Sequence, residues 1–397
     1  MMGYDLAAWL NLGLRWLHVL TGVCWIGASF YFVWLDNHLV APETPEEGVK
    51  GELWAVHGGG FYQARKFLVA PPRMPAHLHW FMWEAYTTWL SGFALLIVIY
   101  YLGADIYLID PAKLALTPGQ AIGLSLAFIL GGLAVYEGLC RTPLAKTPAL
   151  FGAVWFAALT FDAWAQTRIF SDRAAFIQIG ATIGTVMVGN VFLVIIPNQR
   201  KSVAAMLAGL PVDPRLGAAG RLRSVQNNYM TLPVIFLMIS NHYAIITSHP
   251  LNWLLLAMLA AAGVSVRHFF MLLHRGVVRH DFLFYGFLLF FGASVIATWG
   301  KPAIGVAPVG KASFAQAQAI VQTHCVMCHS PAPTHKGFTA PPANVELDTP
   351  AHIQAFAPRV YDMAVARRAM PLGNETHMTD AERATLGAWI QSGAKLN

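Results

Sequence analysis

Eight apolar stretches, each long enough to cross a lipid bilayer, occupy the first three quarters of the chain. They fall at about 8–35, 76–102, 119–140, 148–167, 173–197, 227–248, 250–273 and 280–300. In lipid, an unbroken run of this length satisfies its own backbone hydrogen bonds only as a helix. Because 56% of the residues are hydrophobic and 12% are charged, an ordinary soluble protein is excluded. The sequence therefore predicts an all-α fold, with an eight-helix transmembrane bundle over residues 1–300.

Lysine and arginine are unevenly distributed among the predicted connections. The connections after spans 1, 3, 5 and 7 hold Lys50, Arg65, Lys66, Arg73, Arg141, Lys146, Arg200, Lys201, Arg215, Arg221, Arg223, Arg275 and Arg279. Those after spans 2, 4 and 6 hold Lys113, Arg168 and Arg173. Because positive loops stay in the cytoplasm, we expect the first set there. In a bacterial inner membrane, the N-terminus and everything after span 8 are then periplasmic.

A short cysteine motif follows the last span. Residues 301–311 form a Pro/Gly/Ala-rich linker, and 312–397 have the composition of a small soluble domain. This domain contains Cys325-Val326-Met327-Cys328-His329, the attachment signature of a covalent c-type haem. Its two thiols can form thioethers with the haem vinyl groups, and its histidine can bind the iron. We therefore expect a periplasmic class I cytochrome c domain, on the side where bacteria attach this haem.

The rest of this domain is consistent with that prediction. Ser313 with Gln316, and Thr379 with Glu382, are capping boxes that predict an opening and a closing helix. Met370 is the expected sixth iron ligand, because the following proline stiffens its loop; Met378 is the alternative, or packs on the haem edge or the last helix. The remaining histidines of the domain are expected at the surface: His324, His335, His352 and His377.

Span 1 carries a polar stripe that includes Arg15 and His18 on one helical face. His18 has two interpretations. It either bridges helices as a core histidine, or binds a b-type haem together with His242, which lies at a similar predicted depth in span 6. The second interpretation has a physical motive, because a cytoplasmic-side donor would lie most of the roughly 30 Å hydrocarbon core away from a periplasmic haem.

Other polar groups lie toward the cytoplasmic ends of the spans. Ionisable groups at such depths are costly and are candidates for function. Glu84 is most simply a partner for Arg267, although a proton-accepting base and a helix-end group are alternatives. Arg267 requires a partner, either Glu84 or a bound anion. Asn190, Asn228 and Thr231 could hydrogen-bond a flat polar heterocycle, or could join helices.

Three strings in the spans carry a resemblance to a known family. They are Arg15-Trp16-Leu17-His18 in span 1, Gly189-Asn190-Val191-Phe192 in span 5 and Asn227-Asn228-Tyr229-Met230-Thr231 in span 6. Followed by a terminal haem motif, they make the whole chain resemble the membrane-bound, cytochrome c-fused bacterial urate oxidases. The span 5 and span 6 strings discriminate best, because many unrelated cytochromes share the haem motif.

The resemblance implies that the protein oxidises urate to 5-hydroxyisourate in purine degradation. Electrons would pass to the fused haem c and then to a respiratory acceptor, such as a terminal oxidase or a soluble cytochrome c, rather than to O₂. Urate is a planar anion, so its site needs a cation and several amide or hydroxyl groups. The expected residues are Glu84 and Arg267 as catalytic groups, with Asn190, Asn228 and Thr231 as binding groups; Arg15 with Asn241 would provide a site on the other face.

Urate loses two electrons, whereas a c-type haem accepts one, which again favours a second carrier at His18 and His242. Two other functions fit the same sequence. One is a non-catalytic conduit that relays electrons from quinol or a partner dehydrogenase, and the other is a transporter with a tethered cytochrome. The basic residues are spread over the loops, so the net charge of +6 does not indicate nucleic-acid binding.

Overall fold

The computed structural model describes residues 6–44, 46–69, 71–299 and 312–396. The chain is mostly helical, as predicted. Within these residues, six helical stretches are long and apolar enough to cross a membrane: Leu6–Asn37, Pro118–Cys140, Pro148–Gln166, Asp172–Leu207, Asn252–Leu273 and Asp281–Thr298. The predicted linker over 301–311 lies outside the described residues.

The helices are numbered in chain order. The first ten are α1 (Leu6–Asn37), α2 (Trp83–Leu95), α3 (Pro118–Cys140), α4 (Pro148–Gln166), α5 (Asp172–Gly189), α6 (Ile196–Leu207), α7 (Pro214–Ile239), α8 (Ala244–Thr247), α9 (Asn252–Leu273) and α10 (Asp281–Trp299). π-Helical turns follow α2 at Leu96–Tyr101 and Ala104–Leu108, and another at Asn190–Ile195 joins α5 to α6. Within residues 312–396, four α-helices follow: α11 (Phe314–His324), α12 (Pro350–Ala355), α13 (Ala357–Val360) and α14 (Asp380–Gln391), with a π-helical turn at Tyr361–Ala366 after α13.

Predicted spans 2 and 6 are helical in a form that differs from the prediction. Span 2 is the 13-residue helix α2 followed by the π-helical turns. Span 6 coincides with the second half of α7, which begins earlier, at Pro214, and ends at Ile239 rather than near residue 248. A 3₁₀ turn at Ser240–His242 follows it. The first half of α7 carries arginines, so hydropathy alone misses its true start.

A β-hairpin interrupts the all-α prediction. Strands β1 (Val49–His57) and β2 (Gly60–Phe67) pair antiparallel in the connection after α1. Gly58 and Gly59 form the two-residue turn, with φ values of +58° and +80°. Positive φ at both central turn residues is what a tight hairpin requires, and glycine adopts it without strain. This Gly-Gly pair was the available sequence signal for the hairpin.

The contacts of the chain group it into two compact units. The first contains the residues up to Leu95, Ala181–Ile235 and Ala260–Leu289. Here α1 packs against α2, yet α1 buries none of its residues fully, and Trp16 is 74% exposed. A continuous apolar surface of this kind is stable when lipid rather than water covers it.

The second unit contains Leu96–Gly180, Phe236–Leu259 and the residues from Phe290 onward. In its C-terminal part α11 packs against α14. Val321, Leu386 and Trp389 are buried in the core that these helices share with the loops between them. Both predicted capping boxes are present, so α11 and α14 begin where the sequence placed them.

Candidate functional site

Arg267 is the centre of a buried polar cluster in the first unit. Arg267 is 4% exposed, and its Nε donates a hydrogen bond to Oδ1 of Asn228 on α7. The guanidinium carbon lies 4.0 Å from the ring centroid of Phe30 on α1. Asn228 Nδ2 in turn donates to Ser29 Oγ at 3.1 Å. Three helices therefore converge on one buried cation.

The partners of this cation are all neutral. No described carboxylate lies within ion-pair distance of Arg267, and its Nη2 contacts the sulfur of Met271 at 3.8 Å. A buried guanidinium is costly unless a negative charge or strong acceptors compensate it. The arrangement can therefore accept a planar anion, which was one of the two partners expected from the sequence.

Asn190 belongs to a second buried cluster. It is completely buried at the start of the π-helical turn, and its Oδ1 accepts a hydrogen bond from Arg223 Nη1 at 2.9 Å. Its Nδ2 donates to Asn227 Oδ1 at 2.7 Å, and Asn227 Nδ2 donates to the Met187 carbonyl at 2.9 Å. Contrary to expectation, Arg223 does not lie in a loop. It lies inside α7 and is 7% exposed.

The predicted substrate-binding residues are thus divided between two clusters. Asn228 on α7 contacts Arg267. Asn190 contacts Arg223, which lies on another face of α7. Thr231 Oγ1 donates to the Asn228 carbonyl at 2.7 Å, so this hydroxyl hydrogen is used within its own helix. The adjacent asparagines at 227 and 228 point to different clusters because consecutive residues on a helix are separated by about 100°.

Glu84 does not pair with Arg267, so that expectation is wrong. Its Oε1 lies 3.9 Å from His79 Nε2, while Oε2 is buried without a hydrogen-bond partner among the described residues. Glu84 stands in the first turn of α2, where the helix dipole favours a negative charge. This position agrees with the alternative prediction that Glu84 is a helix-end group. One of its carboxylate oxygens has no hydrogen-bond partner among the described residues.

His18 joins α1 to α2. Its Nδ1 donates to the Thr88 carbonyl at 2.9 Å and lies 3.3 Å from Ser91 Oγ. A Cβ atom at Gly92 would lie 2.7 Å from His18 Cε1, so glycine is needed for this approach. Because Nδ1 carries the proton, Nε2 is left with a free lone pair, the state in which histidine binds metals. His242 is exposed, in the 3₁₀ turn that follows α7.

The haem motif lies directly after α11. Cys325 caps this helix, and His329 Nδ1 donates to the Val345 carbonyl at 2.9 Å. That hydrogen bond orients the imidazole and leaves Nε2 for a metal. Burial raises the pKa of Cys325 to about 12 and that of Cys328 to about 11, and lowers the pKa of His329. Two neutral thiols and a neutral imidazole fit the covalent attachment and ligation of a haem.

Hydrogen bonds to main-chain carbonyls hold the loop that carries Met370. Arg383, which is 3% exposed, donates from Nη1 to the carbonyls of Met370 at 2.7 Å and of Ala364. Met370 N donates to the Met363 carbonyl at 3.1 Å, and the Met370 side chain is partly buried. Met378 is 3% exposed and belongs to the core of the domain. It shares that core with Leu386 and Trp389 of α14, which agrees with the alternative that Met378 packs on the last helix.

Two histidines of this domain are buried, contrary to expectation. His324 is 6% exposed and shares a hydrogen bond with Glu382 Oε1 at 3.1 Å, and His335 is 8% exposed. Both contact carboxylates on segments distant in sequence, which explains why local polarity misled the prediction. His352 is half-exposed and His377 is exposed, as expected.

The C-terminal domain contacts the segment that follows α2. A Cβ atom added at Gly337 would lie 2.9 Å from Ile106 Cδ1. Gly373, with a φ of +59°, packs against the main chain of the same segment. Tyr107 of the same segment lies close to Cys328 of the haem motif. The π-helical turn at Ala104–Leu108 therefore lies beside the part of the domain that carries the cysteines.

Comparison with known proteins supplies the family. A model described as urate oxidase N-terminal matches residues 4–298. The chain belongs to the urate oxidase N-terminal family. No curated protein and no solved structure shows significant similarity to it.

Membership in this family suggests an oxidoreductase acting on urate. The matched region contains both buried clusters, those of Arg267 and of Asn190. It ends before the haem motif begins. Arg223 is the residue of this region that sequence reasoning missed. Its i, i+4 spacing with Asn227 was the available signal, because it places both side chains on one face of a helix.

Proposed function

We propose that the protein oxidises urate to 5-hydroxyisourate and passes the electrons to a haem c in its own C-terminal domain. The observation that carries the proposal is the continuation of a urate oxidase family region directly into a domain with a haem attachment motif. The reaction consumes urate and water and yields 5-hydroxyisourate, two protons and two electrons. A haem accepts these electrons one at a time, so O₂ is not needed at the urate site.

Binding of the urate anion is assigned to Arg267 and Asn228. Their buried, carboxylate-free arrangement supports this assignment, because a charge-assisted hydrogen bond is strongest where water is excluded. Asn190 contacts α7 through Arg223 and Asn227, and Thr231 donates to the Asn228 carbonyl within α7, so both are assigned to the surroundings of this site. The partnerless Oε2 of Glu84 supports its role as the base that accepts a proton from a urate N–H.

For the haem, we assign thioether attachment to Cys325 and Cys328 and iron ligation to His329 and Met370. When bound, the haem supplies a one-electron acceptor. The protein orients His329 through the Val345 carbonyl and holds the Met370 loop through Arg383. His/Met ligation raises the reduction potential, which favours accepting electrons.

A b-type haem is proposed as the second carrier. The free Nε2 of His18 supports this role, since its other ring nitrogen is fixed by a backbone carbonyl. The pairing with His242 rests on the sequence alone. A b-type haem bound by His18 and His242 would accept electrons from urate one at a time and pass them to haem c.

The proposed topology has eight spans in a bacterial inner membrane, with the N-terminus and the C-terminal domain in the periplasm. One contact supports placing the C-terminal domain on the same side as the connection after span 2, without reference to the charge count. Ile106 follows predicted span 2, on the side assigned to the periplasm, and it touches Gly337 of the C-terminal domain. Both ends of that contact must share one side of the membrane. The final acceptor is a respiratory component, either a terminal oxidase or a soluble cytochrome c.

Anaerobic membranes containing the protein test this function. Urate as the only donor should reduce the c-type haem while the urate absorbance falls. Reduction by quinol but not by urate would instead identify an electron conduit. Uptake of labelled urate without haem reduction would identify a transporter.

A further inference from the structure

A cavity of about 480 Å³ lies in the first compact unit, apart from the buried clusters. Its walls come from the segment 78–80, from α6 and from the first half of α7. Its polar and aromatic lining includes His79, Trp80, Asn198, Gln199, Arg221 and Ser224. This volume is in the range of sites for small organic ligands. The positive-inside count assigns these ends of α6 and α7 to the cytoplasm.

The polar groups of this cavity are available to a ligand. Arg221 forms no ion pair within the described part of the chain, and its weaker interaction with Asp36 is shared with Lys66. Gln199 has no hydrogen-bond partner among the residues described. Asn198 donates from Nδ2 to the Leu216 carbonyl at 3.3 Å, which leaves its Oδ1 as an acceptor.

The cavity also has room and an aromatic surface. A Cβ atom added at Gly217 or Gly220 would meet nothing within 4 Å, so these glycines keep one wall of α7 open. Trp80 is partly buried and offers a flat apolar surface. A planar ring can pack on such a surface while polar groups bind its edge.

The cavity lies next to Glu84, the proposed base, with His79 between them. His79 lines it, and His79 Nε2 lies 3.9 Å from Glu84 Oε1. The second Glu84 oxygen is buried without a partner in the described structure. One side chain thus separates the cavity from a carboxylate that still has acceptor capacity.

We propose that this cavity binds a planar heterocyclic anion from the aqueous phase before it reaches Arg267. The proposal rests on the proposed function, which makes that anion urate. Arg221 neutralises its charge, the amides of Asn198 and Gln199 bind its carbonyl and N–H edges, and Trp80 covers its face. Urate has both acceptors and ring N–H donors, which complements this set of groups.

Arg221→Gln tests the proposal, with Lys201→Gln as the matched control. Lys201 is an exposed cation on α6 that does not line the cavity, so both variants remove one positive charge from the same region. Arg221→Gln should raise the KM for urate about tenfold with kcat unchanged, the loss expected for one charge-assisted hydrogen bond. Lys201→Gln should leave both constants unchanged. Equal KM values in the two variants would overturn the proposal.

A second variant fills the cavity without touching charge. Gly220→Leu places a side chain in the open space and replaces a helical glycine with a better helix former. It should weaken binding of urate and of hypoxanthine alike, whereas Arg221→Gln should weaken urate only, because hypoxanthine is neutral at pH 7. Unchanged binding of urate in Gly220→Leu would contradict the proposed site.

Equilibrium binding of radiolabelled urate to the purified full-length protein separates this proposal from the proposed function. Binding that depends on Arg221, without any urate oxidation, would keep the cavity and reject the enzyme. Oxidation of urate with a KM that Arg221→Gln leaves unchanged would keep the enzyme and reject the cavity.

Discussion

At the scale of single residues, the strongest constraint on chemistry is the charge of Arg267. The protein surrounds it with an amide, an aromatic ring and a thioether rather than with a carboxylate. Such an environment disfavours a permanent cation in the absence of an anion. Under the proposed function, the negative charge of bound urate offsets this cost.

Arg267→Gln should lower kcat/KM for urate by at least about 100-fold, the effect of losing roughly 3 kcal/mol of charge-assisted hydrogen bonding in a buried site. Stopped-flow reduction of haem c by urate measures this. Arg279→Gln is the control, because Arg279 is an exposed arginine paired with Asp281 at 2.7 Å. Thermal unfolding of Arg267→Gln should occur at no lower temperature, since a buried charge is removed. Full activity in this variant would exclude Arg267 from the urate site.

Met370 is the second residue with a defined prediction. Met370→Ala should convert haem c to a high-spin form or lower its reduction potential, while the thioethers to Cys325 and Cys328 stay intact. The visible spectrum and a redox titration measure both effects. Met378→Ala is the comparison: it should destabilise the core, where Met378 is buried, but leave the spin state unchanged. A high-spin Met378→Ala with a normal Met370→Ala would move the ligand to Met378.

At the scale of elements, α14 is fixed by its first turn. The Thr379 backbone and hydroxyl, followed by His324, donate hydrogen bonds to Glu382 and lower its pKa to about 2. Because the folded pKa is depressed below the ordinary value of 4.5, ionised Glu382 stabilises the domain fully only above about pH 4.5. That contribution is lost as the pH falls toward 2.

The melting temperature of the C-terminal domain should therefore fall between pH 4.5 and pH 2, as followed by the Soret band of the full chain. Glu382→Gln should reduce this pH dependence, since glutamine keeps a hydrogen-bond acceptor at the cap but does not titrate. Asp380→Asn is the matched control, because Asp380 is an exposed carboxylate of the same turn. An identical pH dependence in wild type and Glu382→Gln would contradict the assignment.

In the chain as a whole, Gly337 and Gly373 are points where the C-terminal domain meets the segment after α2. Gly373→Ala should push this segment away and slow reduction of haem c by urate several-fold, because its methyl group would lie 2.9 Å from the main-chain oxygen of Ile109 and electron transfer weakens steeply with distance. Reduction by dithionite should keep its rate. Gly337→Ala is the control and should leave the urate-dependent rate unchanged, since its methyl group meets the flexible end of the Ile106 side chain. An unchanged rate in Gly373→Ala would mean that the contact does not control electron delivery.

The local elements of the fold were the most predictable. Helical membrane segments follow from composition, because lipid leaves the backbone no other partner than itself. Both capping boxes of the C-terminal domain follow from residues three apart, whose hydrogen bonds need no distant contact. The hairpin at Gly58 was missed, although its Gly-Gly turn was visible, because the surrounding connection was interpreted only as a loop.

Local sequence is enough to predict the apolar helices, the haem motif and the residue types that the chemistry requires, since each depends on neighbours within a few positions. Which of these residues contact one another depends on tertiary packing. Tertiary packing buries Arg223 beside Asn190, separates Glu84 from Arg267 and turns Asn228 toward the Arg267 guanidinium. Those pairings depend on how helices rotate and approach when their faces pack, and a one-residue difference, as between Asn227 and Asn228, directs a side chain to another partner.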